Sequence, residues 1–92
     1  MSLLDAIDNF NERLVADALE AARQPEDDPA FLADVMCVAL NQLPPRYYRH
    51  TIDMRFYLSD RELDEMKARA RSEVDRAYAF VRTNQREPGA DE

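Results

Sequence analysis

The sequence predicts a small all-α domain of three to four helices, with a short extended segment after a Pro-Pro turn. Three observations carry that expectation. Apolar residues recur at helical spacing in three stretches. The second and third open on caps, Asp28-Pro29 and the S-x-x-E box of Ser59 and Glu62. Between them, Pro44-Pro45 stops any helix, because each proline lacks a donor and pushes its predecessor out of the α region.

In chain order, Ser2 with Asp5 three residues on reads as a helix start. Leu3, Ile7, Phe10, Leu14, Ala18 and Ala22 then trace one face, predicting a first helix to about Arg23. Gln24 to Asp28 is an acidic link. Its acids offset the dipole of the helix that follows. Asp28 as N-cap and Pro29 at N1 restart the chain. Phe31 to Leu40 is apolar on most sides, the pattern of a central buried helix, with a buried strand as the alternative. Beyond the prolines, Ile52, Met54 and Phe56 alternate with Asp53 and Arg55, which predicts a short extended segment. With no other strand candidate, it would pair with its counterpart in a second subunit or stay irregular. From Ser59, the positions Leu63, Met66, Ala70, Val74, Ala77 and Val81 predict a third long helix to about Thr83, with Glu65–Arg69 as an i, i+4 pair. Residues 1–84 form the single domain, and 85–92, with Pro88-Gly89, a disordered tail.

Ninety-two residues bury only about 60–65% of the unfolded surface, so a chain of this size is marginal alone. One cysteine excludes an internal disulfide and a thiolate-rich zinc site. A second copy of the chain is the remaining support, and a homodimer is expected. No apolar run reaches bilayer length, and MSLLDAIDNF lacks the basic start of a secretory signal. The expected compartment is the cytoplasm, with no membrane contact.

The net charge of −7 argues against a nucleic-acid partner. It is unevenly spread: residues 1–29 carry −6, and residues 30–55 carry +1. That positive block holds what chemistry the chain offers. Cys37 lies in the apolar helix and reads as a buried small hydrophobe. His50, the sole histidine, lacks a partner pattern for catalysis, and no metal-ligand spacing is present. The chain is therefore read as non-catalytic, with no cofactor. Arg46, Arg49 and Arg55 offer forked donors to phosphate oxygens. Tyr47, Tyr48 and Tyr57 offer faces for a purine. Asn41 pairs a donor with an acceptor for a base edge, or caps the last carbonyls of its helix. Pro44-Pro45 hold the backbone and lower the ordering cost of binding. The bland alternative is a helix stop and a surface strip with the tyrosines half in the core.

The run from Asp34 to Tyr47, D-V-x-C-x-A-L-N-x-L-P-P-x-Y, resembles the signature of the late-competence ComFB family. Asp53-Met54-x-Phe56-Tyr57-Leu58 and the amphipathic last helix are also similar, so the resemblance covers most of residues 3–83. It implies a small, dimeric, mostly helical cytosolic protein that binds a cyclic dinucleotide, cyclic di-GMP or cyclic di-AMP. Such a receptor would regulate competence, motility or related signalling without catalysis. Some members carry extra cysteines before this run that can hold zinc. This chain has none between Gln24 and Ala33, so that site is not carried over. The candidate ligand-binding residues are Arg46, Tyr47, Arg49, Asn41, Tyr48 and Arg55. The alternative function is a helical module that dimerises and binds a protein partner without nucleotide.

Overall fold

The computed structural model describes residues 2–84, apart from the side chains of Thr51 and Arg55. The tail expected at 85–92 lies outside the described residues. Four α-helices and a two-stranded ribbon follow in the order β1 (Asp8–Asn9), α1 (Phe10–Ala22), α2 (Pro29–Asn41), β2 (Tyr47–Tyr48), α3 (Thr51–Tyr57) and α4 (Asp60–Thr83). The all-α class predicted from periodicity and caps is the class observed.

Helix α4 is the spine. Its stripe of Ala70, Val74, Ala77 and Val81 is buried against both α1 and α2. Ser59 and Glu62 form the predicted capping box, each satisfying the other's backbone N–H. Helix α1 contributes Phe10, Leu14, Val15 and Leu19, and α2 contributes Phe31, Leu32, Val35 and Ala39. Burying each of Val15, Val35 and Val74 contributes about 1.5–3 kcal/mol.

Three expectations are corrected. The first helix begins at Phe10, not near Leu3. Ser2 caps only a single 3-10 turn, Leu3–Ala6, and Asn9 outcompetes it as the N-cap of the long helix. Leu3 is therefore 90% exposed. Secondly, the segment around Met54 is helical. Ile52 and Phe56 are four apart and share an exposed face, whereas Met54 points the other way into the core. An i, i+2 alternation over three apolar residues fits a short helix with one buried position as well as a strand. The extended segment is Tyr47–Tyr48, and it pairs antiparallel with Asp8–Asn9 of the same chain. Thirdly, α2 is not buried all round. With α1 and α4 as its packing neighbours, residues 31, 35 and 39 take the core face. Cys37, two positions from Val35, is turned outward and exposed.

The acidic link before α2 does more than offset a dipole. Asp28 caps the helix, accepting from the Phe31 N–H at 2.9 Å. Asp27 is buried and ties the link to the end of α4. It accepts from the Tyr78 hydroxyl, from the Gln24 N–H at 2.9 Å and from Arg82 Nη2 at 2.9 Å. The Arg82 guanidinium lies 4.4 Å from the centre of the Phe31 ring, and Tyr78 meets that ring edge-on. The Tyr78 hydroxyl first, then the Gln24 N–H, and Arg82 against the opposing effect of burial, lower the Asp27 carboxyl to about 2. The same contact with Asp27 raises the Tyr78 phenol and the Arg82 guanidinium.

Candidate functional site

The other end of α2 presents the positive segment. Backbone bonds close the helix: the Gln42 N–H donates to the carbonyls of Ala39 and Leu40, and the Leu43 N–H to Leu40. The Asn41 side chain is exposed and makes no hydrogen bond among the described residues. Of its two expected roles, the cap is thus filled by backbone and the amide stays available.

The Pro44-Pro45 turn is fixed by two asparagines from the start of α1. Asn11, only 3% exposed, donates from Nδ2 to the Pro44 carbonyl at 2.7 Å. Asn9 Oδ1 accepts from the Asn11 N–H and, at 2.9 Å, from the Arg46 N–H. The Arg46 carbonyl accepts from the Phe10 N–H at 2.7 Å. Arg46 is therefore held on both sides of its backbone, with its side chain in solvent. Neither asparagine was singled out in the sequence. A polar pair at the head of an apolar helix is the signal that marks them, and it is easily taken for ordinary capping.

The ribbon separates the two tyrosines. Tyr47 is 61% exposed, while Tyr48 is half-buried and meets Phe10 edge-on at 5.8 Å. Successive strand residues point to opposite faces, so only one of the pair offers an open ring. Arg49 and His50 follow, both exposed. Tyr57 is exposed on α3. Arg55 lies on the same helix, and its side chain is outside those described.

Two hollows are bordered by α4 on this side of the molecule. One, of about 160 Å³, is lined by Arg46, Pro44, Pro45, Asn11, Met66 and Arg69, among others. The next, of about 300 Å³, lies one to three turns further on and is lined by Asn41, Gln42, Val38, Glu73, Arg76 and Phe80, with Ala77. The structure thus places Arg46 and Asn41 at two separate hollows, both bordered by α4. It adds Arg69, Arg76 and the exposed ring of Phe80, which nothing in the sequence separates from the rest of a charged helix surface.

Fold and hollows together define a small helical domain whose positive features gather around a braced Pro-Pro turn. Residues 8–85 match the family described as late competence development protein ComFB. The chain belongs to that family. No curated protein and no solved structure matches it. Among the described residues, no helix is long and apolar enough to cross a membrane.

Proposed function

We propose that the protein is a non-catalytic cytoplasmic receptor for a cyclic dinucleotide, cyclic di-GMP or cyclic di-AMP, acting as a homodimer. The observation that carries this reading is the backbone-pinned Arg46 beside the open ring of Tyr47. Arg46 and Arg49 contact phosphate oxygens, and Tyr47 stacks on a base. Tyr48 supports the ribbon from the core side. Asn41 reads a base edge from the other hollow. Dimerisation is supported by the apolar side chains left outside the core, among them Leu3, Leu4 and, on one face of α3, Ile52 and Phe56. Calorimetry with each cyclic dinucleotide tests the reading, using wild type and Arg46→Ala at tens of micromolar protein. Heat with one ligand, lost in the variant, is expected. No heat with either ligand sinks the reading.

A second reading is a protein-interaction module without nucleotide. The exposed Phe56 and Tyr57 on α3 favour it, since aromatic residues are enriched at interfaces. A stable partner recovered by pull-down, and unaffected by added nucleotide, would select it.

A further inference from the structure

The hollow behind the Pro44-Pro45 turn is walled by a cation from outside the turn. Arg69 lines it from α4, together with Arg46 and the two prolines. Helical spacing gives Arg69 two possible carboxylate partners, Glu65 one turn before it and Glu73 one turn after. Neither holds it. The expected Glu65–Arg69 pair is replaced by Arg61, whose Nε donates to Glu65 Oε1 at 3.2 Å. Glu73 Oε2 lies 3.7 Å from Arg76 Nη1, and Glu73 Oε1 is buried with no hydrogen-bond partner among the described residues. Arg46 also has no carboxylate within pairing distance among the described residues. Two exposed guanidinium groups therefore share one small hollow with their donors uncommitted.

We propose that Arg46 and Arg69 form a two-cation clamp for a phosphate group, seated between the Pro44-Pro45 turn and α4. Two like charges at one hollow repel, and an anion between them removes that penalty. Each guanidinium offers a planar fork that fits two phosphate oxygens. Both walls are already ordered: Arg46 by its two backbone bonds, Arg69 by a 24-residue helix. The backbone needs no further ordering when the anion enters, and the cost left is the rotamer freedom of two arginine side chains. The prolines present no N–H, so the arginines supply the donors. Glu73 is one competitor, since it stands one turn from Arg69 and its Oε1 has no hydrogen-bond partner among the described residues. The clamp rests on the nucleotide reading only for the source of the phosphate. A phosphodiester of a cyclic dinucleotide and a free phosphate offer the same oxygens.

The test follows the arginine Nε–H resonances of the labelled protein during titration, first with pyrophosphate and separately with each cyclic dinucleotide. Arg46 and Arg69 are expected to shift together on one isotherm. Arg69→Ala is expected to weaken binding about tenfold, the loss of a charge-assisted hydrogen bond. Arg71→Gln removes the same charge from the face towards α1 and is expected to change nothing. Glu73→Gln is expected to tighten binding by removing the competitor, and weaker binding would count against the clamp. Wild-type affinity in Arg69→Ala, or a silent Arg69 resonance with every ligand, overturns the clamp. Pyrophosphate held by Arg46 and Arg69 while neither dinucleotide binds leaves the clamp standing and defeats the nucleotide reading. Dinucleotide binding that depends on Arg46 but not on Arg69 does the reverse.

Discussion

At the N-terminal end of α2 an arginine is committed to structure, while at the C-terminal end two arginines are left uncommitted. Arg82 is held by Asp27 at 2.9 Å and lies over Phe31, so its charge and its flat face are both occupied. Arg46 and Arg69 share a hollow with no carboxylate paired to either among the described residues. The residue type is the same, and the difference lies in what the fold places opposite it. An exposed arginine on an acidic chain is informative where the carboxylate at pairing distance in sequence is engaged elsewhere, as Glu65 is by Arg61. Pairing is thus a better guide to the binding end than charge count.

The largest expected effect is at the paired end. Asp27→Asn removes a carboxylate that satisfies three donors. The Asp27 carboxyl stands at about 2 in the folded chain against an ordinary 3.8. Between those values the unfolded chain binds more protons, so stability rises with pH. The contribution is whole above about pH 4 and is lost as pH falls towards 2. Thermal melts should therefore show the variant well below wild type at pH 7, with the gap closing as the pH nears 2. A gap that stays constant down to pH 2 would mean that Asp27 does not act through its charge.

A smaller effect is expected at the open end. Asn11→Ala leaves the Pro44 carbonyl without its donor, at a cost of about 1–3 kcal/mol in denaturant unfolding. It should also weaken ligand binding, because Arg46 loses part of its bracing. Full stability in this variant would show that the prolines and the Asn9 and Phe10 bonds to Arg46 hold the turn without Asn11. Arg69→Ala should sit at the bottom of the stability scale, within about 0.5 kcal/mol of wild type, as an exposed position. Its effect belongs to binding, which sharpens the contrast with Arg82.

The two ends also differed in how far the sequence disclosed them. The long helices were legible because their stripes repeat over several turns and their caps, Asp28-Pro29 and Ser59 with Glu62, are local. The short elements were not. Three apolar residues at Ile52, Met54 and Phe56 are too few to separate a period of 2 from one of 3.6. The strand pairing of Tyr47–Tyr48 with Asp8–Asn9 joins residues some 40 apart, and two-residue strands leave no periodicity to read. Asp27 looked like one acid among three, since its partners Tyr78 and Arg82 are over 50 residues away. The candidate site is legible only as a composition: the sequence names Arg46 and Tyr47, and the structure adds that both are exposed. Its α4 wall is not legible, because Arg69 on a charged helix face is indistinguishable in sequence from its neighbours.

The most direct measurement is amide chemical-shift mapping of the labelled protein with cyclic di-GMP and cyclic di-AMP. Perturbations are expected on Asn41 to Arg49 and on α4 around Arg69, with Asp27, Tyr78 and Arg82 unmoved. Perturbations centred on the Asp27 end, or none anywhere at saturating ligand, would contradict the nucleotide reading.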